Sequence, residues 1–218
     1  MSMSKKVIVI VGAGPGVSSS VARKFGSHGF KVILVARNEK ILAELVRSLE
    51  TQDIEAYGIT ANAGDPVALQ MAFEHIKRDY GIPEALVYNA AVIKLGTASK
   101  LKEAELLDDL NVNVVGALSS ALQVIPDFIE RKSGTILFTG GGFALYPSYE
   151  LASLSMGKAA LRSLVYTLGE ELEPYGIYVG TITIAGTVAV NTNFDPDRIA
   201  HAYWEMYENQ NERELIYQ

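Results

Sequence analysis

Short apolar runs alternate along the chain with segments in which apolar residues recur every three or four positions. The first run, Val7–Val11, is wholly β-branched, and this predicts a strand buried on both faces. Similar runs predict strands over residues 30–36, 54–60, 85–88, 135–139 and 177–184, with a last short strand over 215–217. Because strands of this kind need helices on both faces, the pattern predicts a parallel sheet.

Amphipathic segments between these runs predict the helices, over residues 18–25, 39–49, 65–80, 103–131, 152–172 and 197–207. Asp65 followed by Pro66 is a typical helix start. The longest segment is expected to be broken before Asn111 and bent near Pro126. The alternation predicts an α/β fold, with one doubly wound parallel sheet and helices on both faces, in a single domain over residues 1–218.

The chain has 218 residues, a net charge of −6 and no cysteine. Disulfides and thiolate chemistry are therefore excluded, and the three histidines lack metal-ligand spacing, so no metal site is predicted. The negative charge and scattered basic residues argue against nucleic-acid and membrane partners. No apolar run approaches the ~20 residues of a membrane span, and Met1–Lys6 do not resemble a cleavable signal, so a cytoplasmic location is expected.

Glycines follow the first predicted strand directly, and a helix follows the glycines. Glycine lets the backbone approach a pyrophosphate closely, and the free N–H groups of the helix N-terminus bind anions. The turn is therefore predicted to bind a nucleotide cofactor through Gly12, Gly14, Pro15, Gly16 and Val17.

Five motifs, in this order, resemble the short-chain dehydrogenase/reductase family. They are Gly12-x-x-x-Gly16, Tyr88-Asn89-Ala90-Ala91, residues 111–116, residues 157–161 and residues 185–188. The resemblance implies a Rossmann-like domain that binds NAD(H) or NADP(H) and oxidises or reduces an unspecified alcohol or carbonyl substrate. It also implies that the short C-terminal segment, about residues 190–218, lies on the substrate side.

Arg37 directly follows the second predicted strand, where enzymes specific for NAD(H) usually carry an acidic residue. A guanidinium there would pair with the 2′-phosphate of NADP(H), so NADP(H) is favoured over NAD(H). The alternative is that Arg37 is only a solvated loop residue. The resemblance also implies cofactor contacts at Asn62, which would face the adenine, at Asn89, which would brace the sheet or cap local backbone, and at Ala90, Lys158, Gly186 and Val188.

The catalytic pattern of the family is incomplete in this chain. The family places a tyrosine four residues before a lysine on one helix, where the ammonium lowers the phenol pKa. Lys158 is present, but Leu154 stands at the tyrosine position and the serine position falls within Gly140–Gly142. The resemblance implies that Asn113 and Lys158 are retained catalytic residues. Tyr149 is predicted as a substitute acid, with loop packing as the alternative.

Three functions stay open at this point. In the first, the chain is an oxidoreductase whose proton-donating side chain comes from another position. In the second, it is a degenerate NADP(H)-binding sensor or scaffold. In the third, it is an enzyme in which the triple glycine admits a bulky substrate or donates N–H groups to an oxyanion. A small-molecule substrate is the expected partner. A homodimer or homotetramer is expected through the two long helices, by way of Ala117, Leu118, Ala121, Leu122, Leu161, Leu164, Val165 and Leu168.

Overall fold

A computed structural model describes residues 5–218. Its strands are β1 (Val7–Val11), β2 (Lys31–Ala36), β3 (Ala56–Thr60), β4 (Ala85–Tyr88), β5 (Gly134–Gly141), β6 (Ile177–Ile184) and β7 (Glu214–Tyr217). Its α-helices are α1 (Val17–Ser27), α2 (Glu39–Glu50), α3 (Pro66–Asp79), α4 (Glu103–Leu110), α5 (Gly116–Arg131), α6 (Ala152–Leu172) and α7 (Pro196–Asn209). The prediction that Met1–Lys6 are not a cleavable signal concerns a segment whose first four residues lie outside the described residues.

The seven strands form one parallel sheet in the order β3-β2-β1-β4-β5-β6-β7. The chain runs outward from β1 through β2 to β3, returns to β4 beside β1, and then runs outward in the opposite direction. The strand order therefore reverses between β1 and β4, which creates a crevice at the carboxyl ends of these strands. The predicted doubly wound, Rossmann-like α/β fold is confirmed.

Helices cover both faces of the sheet, as the apolar strands require. On one face, α3, α5 and α6 pack against alternate residues of β1, including Val9. On the other face, α1, α2 and α7 pack against the intervening residues of β1, including Ile10. Both faces of β1 are consequently buried along its whole length.

The sequence predicts the bounds of β1, β4, β6 and α6 to the residue, whereas ends of the other elements differ by one or two positions. The second and third strands begin at Lys31 and Ala56 rather than at residues 30 and 54. The fifth strand is longer than predicted, since Gly140 and Gly141 continue the ladder opposite Thr183 and Ile184. Glycine disfavours a strand locally, but pairing with β6 overrides that preference here.

The longest predicted helix is interrupted by a π turn, Asn111–Val115, between α4 and α5. Pro126 lies inside α5 without ending it. Within residues 5–218, this helical run, Glu103–Arg131, is the one long and apolar enough by composition to cross a membrane. Its Ala117, Ala121, Val124 and Phe128 are buried in the core, so length and composition alone do not assign it to a membrane.

Five of the eight side chains predicted to form a subunit contact are buried in the core of this chain, namely Ala117, Ala121, Leu161, Val165 and Leu168. The prediction is wrong for these five, because they cover the sheet of their own chain. Leu122 is exposed. An oligomer formed through the remaining surface of these helices stays a prediction.

We expect Asp65→Ala to lower the free energy of unfolding by roughly 0.5–2 kcal/mol, the usual effect of removing a helix N-cap. The Asp65 carboxylate accepts hydrogen bonds from the backbone nitrogens of Val67 (3.0 Å) and Ala68 (3.2 Å) at the start of α3. Urea unfolding measures the change. Asp65→Asn, which keeps an acceptor oxygen, should lose much less, and equal losses in both variants would contradict the capping role.

Candidate active site

The predicted site residues lie along one edge of the sheet, beyond the carboxyl ends of the strands. Gly12, Gly14, Pro15, Gly16 and Val17 follow β1, Arg37 follows β2, Asn62 follows β3, Asn89 and Ala90 follow β4, and Gly186 and Val188 follow β6. Asn113 lies in the π turn, Tyr149 shortly before α6, and Lys158 within α6. This is the edge at which parallel α/β sheets bind ligands.

The turn after β1 begins at Gly12, whose φ is +85°. A Cβ placed on Gly12 would lie 2.3 Å from the backbone nitrogen of Ala90, so glycine is needed for the ends of β1 and β4 to meet. A Cβ placed on Gly14 or Gly16 meets nothing within 4 Å, which leaves open space beside the turn. The N-terminus of α1 at Val17 has no side-chain cap. Its N–H groups and this space fit a diphosphate.

The end of β2 carries a positive charge that the described residues leave unpaired. Arg37 is exposed, whereas the side chain of Asn38 next to it accepts hydrogen bonds from Lys40 and Ile41 and caps α2. Beyond β3, Asn62 is also exposed, and its side-chain oxygen accepts a hydrogen bond of 3.1 Å from the Gly64 nitrogen. The guanidinium is thus free to meet an anionic group, and the Asn62 amide nitrogen is free to donate.

Asn89 connects the turn after β1 with β5. Its side-chain nitrogen donates to the carbonyl oxygen of Gly12 (3.2 Å), and its side-chain oxygen accepts from the Thr139 hydroxyl (2.8 Å). The same hydroxyl lies 2.5 Å from the hydroxyl of Tyr203 on α7. The Tyr203 ring is fully buried, and burial raises its pKa. This chain of hydrogen bonds, formed by Gly12, Asn89, Thr139 and Tyr203, links three strands with α7.

Lys158 reaches the same point of β5 from α6. Its Nζ donates a hydrogen bond of 2.6 Å to the backbone carbonyl oxygen of Thr139, and only 8% of the residue is exposed. Burial lowers the pKa of Lys158 to about 8, because a poorly solvated ammonium is less stable than its neutral amine. Thr139 therefore holds the lysine through its carbonyl and the Asn89 bridge through its hydroxyl.

The positions at which the family carries tyrosine and serine have no proton-exchanging side chain here. Leu154 is 4% exposed and belongs to the buried face of α6. A Cβ placed on Gly141 would lie 3.4 Å from Cε of Lys158, an ordinary van der Waals contact, whereas one placed on Gly142 would lie 3.0 Å from the Ala185 Cα. A side chain therefore fits at Gly141 better than at Gly142.

Asn113 is buried within the π turn, and its side-chain oxygen accepts a hydrogen bond of 2.7 Å from the Val92 nitrogen. Its amide nitrogen is buried without a partner among the described residues. A Cβ on Gly157 would come within 2.8 Å of the Asn113 Cβ, so a glycine in α6 permits this packing. Asn113 thereby joins the loop after β4 to α6.

The same loop is held by an ion pair with a buried carboxylate. Lys94 Nζ lies 2.7 Å from one oxygen of Asp109 on α4, and the Ser153 hydroxyl donates to the other oxygen at 2.7 Å. Burial opposes ionisation of Asp109, but the hydrogen bonds from Lys94 and Ser153 outweigh it and hold the pKa of that carboxyl below its usual range. Gly96 also donates to the carbonyl oxygen of Glu150 (2.8 Å). The loop over residues 91–97 is therefore fixed in place.

The structure does not join the predicted substitute acid to the lysine. Tyr149 is 75% exposed, and its hydroxyl donates to Glu150 at 3.4 Å. Tyr146 is also exposed. Ser155, the polar neighbour of Leu154, donates to the Leu151 carbonyl and accepts from the Ser148 nitrogen at the start of α6. The role of Tyr149 stays a prediction.

The C-terminal segment closes the far side of the edge. The Phe194 ring packs against Gly186, where a Cβ would lie 2.1 Å from the ring, while Val188 is exposed. Tyr203 and Trp204 of α7 are buried in the core beside α1 and β2. The aromatic residues Tyr203 and Trp204 therefore pack the C-terminal segment onto the core of this chain.

The sequence profile of the short chain dehydrogenase family matches residues 6–198. This span is most of the chain, and the predicted motifs within it lie together at the site edge. The chain belongs to the short-chain dehydrogenase/reductase family.

Individual relatives support this assignment. An uncharacterized oxidoreductase of Listeria monocytogenes is 30% identical over 198 residues, 88% of this chain and 77% of that protein. The human inactive hydroxysteroid dehydrogenase-like protein 1 is 29% identical over 194 residues, 85% of this chain and 58% of that protein. The crystal structure of a metagenomic short-chain oxidoreductase in complex with NADP has a TM-score of 0.90 and 24% identity, covering 99% of this chain and 98% of the other.

Sequence reasoning missed Thr139, Tyr203 and Asp109. Thr139 is a polar residue at the end of an apolar strand, and this position could have marked it as a candidate site residue. Nothing local indicates its contact with Tyr203, since the two residues are 64 positions apart. Asp109 has the pattern of an ordinary helix surface residue until α6 packs over it.

We expect Thr139→Val to destabilise the protein by roughly 1–3 kcal/mol, because the Tyr203 hydroxyl and the Asn89 oxygen lose their partner inside the structure. Thermal unfolding followed through Trp204, the single tryptophan, measures the change. Thr139→Ser keeps the hydroxyl and should lose clearly less. Equal stability of the valine variant and the unmodified protein would contradict the structural role of this hydrogen bond.

Proposed function

We propose that the protein is an NADP(H)-dependent oxidoreductase that interconverts a carbonyl compound and its alcohol. The observation that carries the proposal is the placement of a buried lysine and an open glycine turn at one edge of the sheet. The buried ammonium of Lys158 has no structural ion-pair partner among the described residues, which favours a role toward a ligand.

Family membership supports a nicotinamide dinucleotide as the cofactor. The turn at Gly12, Gly14 and Gly16 would hold its diphosphate, and Asn62 would face its adenine. Arg37 would pair with a 2′-phosphate, which favours NADP(H) over NAD(H). The structural relative described above binds NADP. Lys158 would hold the nicotinamide ribose, with Asn89, Ala90, Gly186 and Val188 along the path of the cofactor.

A bound reduced nicotinamide would supply the hydride. The residues of this chain position the reactants, since Asn113 and the Lys94–Asp109 pair fix the loop after β4 on the side of α6, the helix that carries Lys158. Hydrogen bonding of Lys158 to Thr139 aligns the ammonium at the end of β5. Pre-organised groups of this kind contribute to catalysis because they need no reorientation during the reaction.

Exposed apolar side chains on the segments after β4, β5 and β6 support an apolar substrate. They are Ile93, Leu95, Tyr146, Tyr149 and Val190. Apolar side chains left in water favour a ligand that covers them. We therefore propose a neutral carbonyl compound with an aromatic or aliphatic framework.

A catalytically degenerate NADP(H)-binding sensor or scaffold is the second candidate. Leu154 and Gly141 at the tyrosine and serine positions favour it, as does the relative whose name marks it as inactive. Mixing the protein with NADPH and a panel of aldehydes, ketones and quinones separates the two functions. Turnover followed by NADPH absorbance supports the oxidoreductase, and tight NADPH binding without turnover supports the sensor.

We expect Arg37→Ala to weaken NADPH binding by about 10- to 100-fold, which is the usual contribution of a charge-assisted hydrogen bond to a phosphate. NADH binding should change little, since NADH lacks the 2′-phosphate. Titration calorimetry with both nucleotides measures the ratio. Arg47→Ala, farther along α2, serves as the control, and an equal loss for NADPH and NADH in Arg37→Ala would contradict the phosphate contact.

We expect the double variant Leu154→Tyr, Gly141→Ser to raise carbonyl reduction by at least about 10-fold, since a positioned general acid typically contributes 10²–10⁴-fold. The Gly141 position has room for a Cβ beside Lys158. NADPH oxidation with the best substrate of the panel measures the gain.

Leu154→Phe, Gly141→Ser is the matched control for this experiment, because it adds the ring and the serine without the phenol. A gain equal to that of the tyrosine variant would contradict an acid role for the introduced hydroxyl. A folded tyrosine variant that binds NADPH and gains no activity would contradict the assignment of Leu154 to the tyrosine position.

A further inference from the structure

Asp109 and Lys158 are the two charged residues that are buried as whole residues among those that the structure describes. Asp109 forms an ion pair with Lys94 and accepts a hydrogen bond from Ser153. Lys158 has no carboxylate partner, and its one hydrogen bond in residues 5–218 goes to the Thr139 carbonyl oxygen. Because an ammonium carries three N–H donors, two of them have no partner within this part of the chain.

The stem of Lys158 packs against position 141 of β5. A Cβ on Gly141 would be 3.4–3.5 Å from Cγ, Cδ and Cε of Lys158, so the lysine stem lies directly against the bare backbone. The amine is therefore held at the end of β5, next to the position that carries serine in the family. Leu154, one helical turn before Lys158, supplies no proton in place of tyrosine.

No charged group among the described residues acts on Lys158, since burial is the cause of its pKa shift. Its contacts are the Thr139 carbonyl oxygen and the bare backbone of Gly141 on β5. The Asn113 side chain of the π turn packs against the adjoining Gly157. From α7, Tyr203 reaches the Thr139 hydroxyl and not the lysine, and burial raises the pKa of this phenol. Asp109 is held by Lys94 and Ser153. With no carboxylate to favour its charge, Lys158 has a pKa that burial lowers to about 8.

We infer that the Lys158 ammonium is itself the proton donor to the substrate oxygen, in place of the missing phenol. The inference rests on the proposed function. In the reductive direction, a bound reduced nicotinamide would supply a hydride to the carbonyl carbon, and the C=O π electrons would move to oxygen. The oxygen takes a proton from Nζ, which leaves an alcohol, the oxidised cofactor and a neutral amine. The amine then regains a proton from water.

An amine with a pKa near the working pH suits this role, because the free-energy difference between its protonated and neutral forms is then small. The ammonium form predominates below pH 8. Reductive kcat/KM is therefore expected to be level at low pH and to fall as the pH rises through about 8. Oxidation of the alcohol needs the neutral amine, so its rate should rise over the same range.

The decisive variant is Lys158→Arg, which keeps the charge and the hydrogen-bond donors but does not release a proton below about pH 12. We expect its reductive kcat/KM to fall by roughly 10²–10⁴-fold, with no break near pH 8 and with NADPH affinity within about 10-fold of the unmodified protein. Lys132→Met is the matched control, since Lys132 lies next to the amino-terminal end of β5, away from the site. A Lys158→Arg profile that keeps the break at pH 8 would overturn the inference.

A readout without turnover comes from NMR of the unliganded protein labelled with ¹⁵N-lysine. The side-chain resonance that disappears in Lys158→Arg should titrate with a midpoint near pH 8, and a midpoint above pH 10 would overturn the inference. NADPH binding without turnover by the unmodified protein would overturn the proposed function and this inference together. Turnover with an unaffected Lys158→Arg variant would overturn this inference alone.

Discussion

The close contact between the turn after β1 and the end of β4 is the constraint on which the site depends. These strands are neighbours in the sheet although β2 and β3 lie between them in the chain. At their carboxyl ends the Gly12 Cα faces the Ala90 nitrogen with no room for a Cβ, and the positive φ of Gly12 turns the chain into α1. The turn thereby leads the chain into the uncapped N-terminus of α1, beside the crevice that the reversal of strand order creates.

Thr139 carries this constraint across to the lysine. A threonine at the end of a buried strand has a hydroxyl and a carbonyl that both need partners. Asn89 and Tyr203 satisfy the hydroxyl, while Lys158 satisfies the carbonyl. The turn after β1, the core of α7 and Lys158 are thus joined through one residue, so a change in any of these contacts disturbs the geometry of the others.

The sequence predicts most of the fold because its patterns are local and consistent. The apolar alternation and the cap at Asp65 locate the helices, and α6 is predicted to the residue. The glycine end of β5 is missed because its strand conformation depends on pairing with β6. Five of the eight side chains assigned to a subunit contact are buried, since helical periodicity does not show how wide a face the sheet covers. The order of the motifs predicts which edge of the sheet forms the site. The contact between Thr139 and Tyr203 is not predicted, because the two residues are 64 positions apart in the chain.

The burial of Lys158 bears on the choice between an enzyme and a degenerate binder. An ammonium removed from water without a counter-ion destabilises a fold, whereas a methionine of similar length would fill the same space without that penalty. Within the fold, the ammonium of Lys158 contributes one hydrogen bond to the Thr139 carbonyl oxygen, and a neutral donor could also supply that bond. The destabilisation is consistent with a group that acts on a ligand, as buried groups with shifted pKa values commonly do. A lysine that only held a bound dinucleotide would be buried in the same way, so burial indicates a role toward a ligand, and the proton transfer itself separates an enzyme from a degenerate binder.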